Sequence, residues 1–252
     1  MSGLVSLVGA GPGHPDYLTM KGLRCLRAAD IVFHDALVTP EVLALASRAE
    51  CVDVGKRAGR DSTPQAAIEA AMIASSRRGL RVVRLKGGDA FVFGRGGEEA
   101  LALAAADVPF EIVPGVSSAI AAPALGGIPV THRGVASAVL VANGSDPATF
   151  RHLASGLAPG AATLVVMMGL ATRHAIVEVL LDAGWSVTTP SAVVVGASTA
   201  GEYTWRGPLC DLPGAEIPSS SADLPGTVII GGVAALPLRL ANGSPALVEV
   251  LS

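Results

Sequence analysis

LKGGDAFVFGRGGEE, Leu85 to Glu99, decides the fold class: it sets glycine turns, a carboxylate, an arginine and a pair of glutamates directly behind an apolar strand. Arg81-Val82-Val83-Arg84-Leu85 is that strand, and Gly87-Gly88 lets the backbone turn sharply at its carboxyl end. In open α/β sheets this edge is where ligands bind. Glycines bring main chain close to one small ligand, while Arg95 and Glu98 are placed to face a second. The competing reading is a tight turn followed by the acidic first turn of a helix, which requires no ligand.

On either side of this stretch, strand and helix alternate. Leu4 to Val8 and Ile31 to Phe33 are short apolar runs, and the segment after Thr19 has helical spacing between them. Thr63-Pro64 predicts an N-cap with proline at the first helical position, opening a helix that runs to Arg77-Arg78 before Gly79. A helix from about Gly97 to Ala106 and a strand at Phe110 to Val113 follow. The alternation predicts a largely parallel sheet covered by helices in the first half. Pro114-Gly115 interrupts it, so the boundary is drawn there, giving an N-terminal α/β domain at 1–113 and a C-terminal α/β domain at 114–252. Beyond it a small-residue helix begins near Ser117. Strands are read at Val139 to Ala142, Leu164 to Met168, Ala192 to Val195 and Val228 to Ile230, with a helix at about Thr172 to Ala183.

Composition agrees with a globular chain. Of 252 residues 50% are hydrophobic, which is ample for a core, and 30 glycines with only 4% aromatics suit close turns and Ala/Val/Leu packing. The net charge of -3 gives no reason to expect nucleic acid or an anionic membrane as partner. Charge is unevenly spread, however: 13 of the 18 Lys and Arg residues lie in the first 113 positions beside 13 acids, so local basic clusters for an anionic small substrate remain open. Cys25, Cys51 and Cys210 are odd in number and scattered, which fits a reducing cytoplasm better than a disulfide framework or a zinc site. The opening MSGLVSLVGAGPG lacks the basic region and long apolar core of a signal peptide, and no later apolar run approaches the roughly 20 residues of a membrane span. The histidines show no ligand spacing, so no metal is assigned.

Gly9-Ala10-Gly11-Pro12-Gly13 after the first strand invites a dinucleotide reading, with Asp30 or Asp35 as the ribose partner. Two details oppose it. His14 stands where the third glycine belongs, and Pro12 lacks the N–H that a phosphate-cradling loop would use. The loop suits a ligand without phosphates.

VGAGPG at 8–13, Asp35 within HDALV, VGKRAG at 54–59, the 82–99 stretch, VPGVSSA at 113–119, GIPVTHR at 127–133 and MGL at 168–170 together resemble the tetrapyrrole methylases. More narrowly, FGRGGEE and THR are similar to the uroporphyrinogen-III C-methyltransferase branch. The likeness covers about Val5 to Gly231. It implies two α/β domains with S-adenosylmethionine in a ligand cleft between them, a homodimer, and transfer of two methyl groups to ring carbons of uroporphyrinogen III. That reaction gives precorrin-2 by way of precorrin-1, for sirohaem or cobalamin synthesis. Carried over residue by residue, cofactor contacts fall on Pro12, Gly87, Gly88, Asp89, Val92, Ser117, Ser118, Met168 and Ala197. Substrate and proton chemistry fall on Asp35, Lys56, Arg95, Glu98, Arg133 and again Met168.

The chain departs from the family pattern at His14, usually Asp; at Ala90, usually Pro; and at Gly196-Ala197-Ser198, usually an NGT-like turn. The departures at His14 and Ala90 keep a non-catalytic cofactor-binding module as an alternative; a sister precorrin methyltransferase and, from the opening glycines alone, a nucleotide-dependent oxidoreductase are the others.

The implied chemistry fits these residue types. The sulfonium is already electrophilic and a pyrrole carbon already nucleophilic, so catalysis is mostly alignment, which supplies up to about 7–11 kcal/mol through effective molarity. An acceptor with many carboxylates calls for forked donors, which Arg95 and Arg133 provide. Their competing reading is a surface ion pair contributing about 0–1 kcal/mol. After methyl transfer the cationic ring must lose a proton, and Glu98 and Asp35 are the acceptors considered, since arginine stays protonated.

Overall fold

The structure, a computed structural model, describes residues 2–55, 63–236, 238 and 240. It divides into two compact units, Met1–Ser117 and Ser118–Ser252, so the division falls past Val113, the end of the last strand in the first half. Each unit is built on its own five-stranded sheet.

In the first unit the strands are β1 (Val5–Gly9), β2 (Ile31–His34), β3 (Glu50–Asp53), β4 (Val82–Lys86) and β5 (Phe110–Val113). Four helices accompany them: α1 (Met20–Ala28), α2 (Pro40–Leu43), α3 (Gln65–Arg77) and α4 (Gly96–Ala105). The order is β3-β2-β4-β1-β5 and every pairing is parallel. Parallel strands need a cover on both faces, and the sequence provides it through side-chain alternation. Val5, Leu7, Ile31, Phe33 and Val82 point to the face that packs Ile68, Met72 and Leu103 of α3 and α4. Val8, Val32, Val83 and Leu85 point to the opposite face with Leu26 of α1 and Val42 of α2. Fully burying each such side chain contributes about 1.5–3 kcal/mol.

Two helix starts differ from expectation. Pro64, not Thr63, is the N-cap of α3; it is extended, at φ −57° and ψ 141°, with no side-chain cap, and Gln65 opens the helix. The proline ring fixes φ but leaves ψ free, so the chain enters the helix one residue later. α4 begins at Gly96 behind an Arg95 in the left-handed conformation, φ 61° and ψ 12°.

The second unit carries α5 (Ser118–Leu125), β6 (Val139–Asn143), α6 (Pro147–Ser155), β7 (Thr163–Met167), α7 (Arg173–Asp182), β8 (Pro190–Val195), β9 (Tyr203–Pro208) and β10 (Gly226–Ile230). Its order is β6-β7-β10-β8-β9, with β6 and β7 parallel and the remaining pairings antiparallel. One face packs Leu164, Val166, Val193, Val195, Val228 and Ile230 under α6 and α7. The other packs Ala192, Val194 and Ile229 against Ala122 of α5 and Ile128. Among the described residues no helix is long and apolar enough to cross a membrane.

Candidate active site

At the carboxyl edge of the first sheet, the loops after β1, β4 and β5 meet at backbone distance. Gly11 and Gly88 exchange hydrogen bonds, Gly88 N–H to Gly11 O at 2.8 Å and Gly11 N–H to Gly88 O at 3.1 Å. A Cβ on Gly115 would lie 2.2 Å from the Gly88 carbonyl oxygen and 2.6 Å from Gly9 Cα, so only glycine fits there. Asp89 clips the loops together: one carboxylate oxygen accepts from Gly115 N–H at 2.9 Å and the other from Phe91 N–H at 2.8 Å. Thr39 closes the side by donating to Gly13 O at 2.8 Å. Pro12, Gly87, Gly88 and Asp89 are thus gathered in one glycine-built cradle. Gly87 is its open member, since a Cβ there would touch nothing nearer than Leu37 Cβ at 3.5 Å. Val92 is half-buried in the turn that follows, and Ser117 closes the unit.

Asp35 follows β2, two strands over from β1 on the same edge, and its side chain is 29% exposed. Beneath it lies a buried charge cluster that the motif reading passed over. Arg84 Nη2 donates to Asp35 Oδ1, and Lys86 Nζ lies 3.7 Å from Asp35 Oδ2. Both cations also reach Glu99 Oε1, Arg84 Nε at 2.9 Å and Lys86 Nζ at 3.1 Å, and Gln65 donates to the same oxygen at 3.2 Å. Arg84 and Lys86 are 3% exposed and Glu99 is 0% exposed. Arg84 spends its remaining donor on the carbonyls of Phe33 and Leu85, both at 3.3 Å. Glu99 Oε2 is buried without a hydrogen-bond partner among the described residues. Burial pushes the Lys86 ammonium below the ordinary lysine value of 10.5; Arg84 pushes the same way, and Asp35 and Glu99 pull back. The missed signal was present: two cations at alternate positions of a buried strand cannot stay unpaired.

The two glutamates of the motif therefore do different things. Glu99 faces inward, whereas Glu98 is exposed and takes Arg95 in a fork, Nε to Oε1 at 2.9 Å and Nη2 to Oε2 at 2.6 Å. These hydrogen bonds hold the Arg95 guanidinium above its ordinary value. Phe93 and Arg95 both have positive φ, 53° and 61°, in a loop wound about the Ala90 carbonyl, which accepts from Gly96 N–H at 3.0 Å. Non-glycine residues in this region cost about 1–3 kcal/mol each and concentrate at ligand sites.

In the second unit, Met168 and Ala197 stand at one edge of the sheet, after the parallel-running β7 and β8. Met168 has φ 56° and is 46% exposed, so it is not the core residue that a strand-end methionine usually is. Ala197 is buried. Ser118 is the first residue of α5. Arg133 is exposed in a tight turn closed by the His132–Ala136 pair, whose two hydrogen bonds are both 2.9 Å. The loop leading to it is held by Arg206 of β9, another residue absent from the motif reading. Arg206 donates to the carbonyls of Gly126 and Gly127 at 2.9 and 3.0 Å, and to Ala234 and Leu236 at 2.9 and 3.1 Å. A cation on the two carbonyls just past the end of α5 also complements the helix dipole. Lys56 lies outside the described residues. Among the described residues no group of His, Cys, Asp and Glu is arranged to hold a metal ion.

Comparison with known proteins adds to this geometry. A siroheme synthase of Nitrosococcus oceani is 43% identical over 241 residues, which is 95% of this chain and 51% of the relative; the chain thus spans about half of that protein. A uroporphyrinogen-III C-methyltransferase of Methanocaldococcus jannaschii is 40% identical over 236 residues, covering 92% of this chain and 97% of the relative. The crystal structure of uroporphyrin-III C-methyltransferase from Thermus thermophilus, complexed with S-adenosylhomocysteine, matches with a TM-score of 0.77 at 38% identity, covering 92% and 98% of the two chains. The model of the tetrapyrrole (corrin/porphyrin) methylases matches residues 4–213, and with a glycine cradle and a carboxylate on one sheet edge inside that span, the chain belongs to this family.

Proposed function

We propose that the chain transfers methyl groups from S-adenosylmethionine to two ring carbons of uroporphyrinogen III, giving precorrin-2 by way of precorrin-1. The observation that carries this reading is the cradle of Gly9, Gly11, Gly88 and Gly115 at the carboxyl edge of a parallel sheet, with Asp35 on the same edge. The methyltransferase of M. jannaschii is matched over nearly its whole length, so the activity in its name is one that a chain of this length accommodates.

The residues present fit the cofactor. Pro12 withholds the N–H that a phosphate-cradling loop would use, as suits a ligand whose reactive group is a sulfonium. Pro12, Gly87, Gly88, Asp89, Val92, Ser117, Ser118, Met168 and Ala197 are proposed to hold it. Asp89 acts largely by holding the loops in place, because Gly115 and Phe91 engage its two oxygens. Met168 offers a soft apolar surface. Bound there, the cofactor supplies an electrophilic methyl group, and the protein's part is to fix donor and acceptor in line.

Arg95 and Arg133 are proposed to take acceptor carboxylates. Arg95 already holds a carboxylate in the geometry that the acceptor would adopt, so an acceptor group can replace Glu98. Asp35 is the preferred proton acceptor: its side chain is partly exposed and stands on the same sheet edge as the cradle. Lys56 retains its proposed place in substrate or proton chemistry. The chain is further proposed to work as a cytoplasmic homodimer, a state that light scattering would test.

The reaction is tested by incubating the protein with S-adenosylmethionine and enzymatically generated uroporphyrinogen III. Formation of S-adenosylhomocysteine and a doubly methylated product supports the assignment. Turnover only with a later precorrin would move it to a sister enzyme.

A further inference from the structure

We propose that Arg84, Lys86 and Glu99 are positioning residues for the proton-removal step, a buried charge frame that holds the Asp35 carboxylate in place as acceptor. The inference rests on the methyltransferase reading above. In that step a C–H bond of the methylated ring breaks, its electron pair neutralises the ring cation, and the proton passes to a carboxylate oxygen of Asp35. Asp35 then returns the proton to water through its exposed side.

Three observations point to this role. First, the frame contacts both oxygens of Asp35 from one strand: Arg84 hydrogen-bonds Oδ1, and Lys86 lies 3.7 Å from Oδ2. One hydrogen bond and one charge contact draw the carboxylate toward β4. Second, the frame is anchored from behind, where Glu99 of α4 draws the same two cations to its Oε1 at 2.9 and 3.1 Å. The register of α4 is therefore coupled to the orientation of Asp35 at the cradle's edge. Third, the expense of the arrangement is visible. Glu99 is 0% exposed and its Oε2 lacks a hydrogen-bond partner among the described residues, a burial that an apolar residue of similar size would avoid.

The frame also sets the field at Asp35. Among the described residues, the charged groups that face it are Arg84 and Lys86 from β4 and, behind them, Glu99 from α4. On its own segment His34 turns its ring to the Asp35 backbone carbonyl at 3.2 Å. Removing a cation makes a carboxylate harder to ionise, and removing the rear anion makes it easier. The acid limb of turnover, set by ionisation of the proton acceptor, must therefore move in opposite directions in the two cases.

The test compares wild type, Lys86→Met, Lys86→Arg and Glu99→Gln as full chains, following kcat against pH with uroporphyrinogen III as acceptor. S-adenosylhomocysteine affinity and circular dichroism serve as controls of folding. Lys86→Met is expected to move the acid limb up and Glu99→Gln to move it down. Each is expected to lower plateau kcat by about tenfold to a hundredfold, as misplacement of a reacting group does. KM and cofactor affinity stay within about twofold, and Lys86→Arg restores the limb. Limbs that move together, or do not move, in folded and cofactor-binding variants would overturn the role. Should Glu99→Gln fail to fold, Lys86→Met and its rescue by Lys86→Arg decide alone: an upward move that arginine reverses supports the role, and its absence overturns it. No turnover by wild type would sink the methyltransferase reading, and this role with it.

Discussion

Two arginine–carboxylate arrangements flank the same glycine turn, and burial separates them. Arg84 meets Asp35 and Glu99 beneath the sheet edge, where neither the guanidinium nor Glu99 touches water. Arg95 meets Glu98 in solvent, three residues apart on the rim of α4. The chemistry of the contact is the same in both. In a dry interior, losing one partner leaves a charge that nothing screens, so the pairing is obligatory. At the surface water replaces either partner at little loss, so the pairing can open for a ligand. One pair belongs to the architecture, and the other can open for a ligand.

The contrast gives an ordered set of expectations. The largest belongs to the buried side: Glu99→Leu strands Arg84 and Lys86, and is expected to cost about 3–5 kcal/mol of unfolding free energy in urea titrations. An unchanged midpoint would remove the distinction. Gly115→Ala comes next, because its methyl group would overlap the Gly88 carbonyl. Spreading the loops is expected to cost about 1–3 kcal/mol and to abolish calorimetrically detectable S-adenosylhomocysteine binding. On the exposed side, Arg95→Ala is expected to raise KM for the acceptor about tenfold or more, the scale of a lost charged hydrogen bond, with the melting temperature and cofactor affinity unchanged. Loss of stability there would erase the difference between the pairs.

The smallest effect belongs to Glu111, which lies between the two cases. Lys21 at 2.6 Å, Ser6 and Cys25 hold its carboxyl below the ordinary value of 4.5, with the Lys21 hydrogen bond the main cause. A depressed carboxyl contributes stability that is fully present above the ordinary value and is lost as pH falls through the depressed one. Wild type is therefore expected to exceed Glu111→Gln in stability at neutral pH, and the gap to close below about pH 4.5 in acid titrations followed by circular dichroism.

Much of the first unit was legible in the sequence because its signals are local. The strands of the first sheet read as short runs rich in apolar residues, and β5 lies at Phe110–Val113, where the sequence places it. β9 was missed for the opposite reason: its six residues, YTWRGP, are all half-buried and end in Gly-Pro, so neither alternation nor an apolar run marks it. Helix α6 had its signal in Asp146-Pro147, whose carboxylate accepts from Ala148 N–H at 3.0 Å, but the face behind it buries only Phe150 and Ala154.

Within the site, the glycines of the cradle were readable because close backbone approach admits no other residue. The partners of Arg84, Lys86, Glu99 and Arg206 were not: the strand pattern says that Arg84 and Lys86 need partners, but only the fold says which ones it brings to them. The Glu98-Glu99 pair makes the same point in two residues. Helical rotation turns one to solvent and its neighbour into the core, and the letters alone do not say which.

The central claim is that bent main chain at the carboxyl edge of the first sheet receives the methyl donor. Crystals grown with S-adenosylhomocysteine test it most directly. The account predicts the ligand against Gly87, Gly88 and Asp89, in van der Waals contact with the Gly115 loop. Ligand bound elsewhere, with that cradle filled only by solvent, would contradict it.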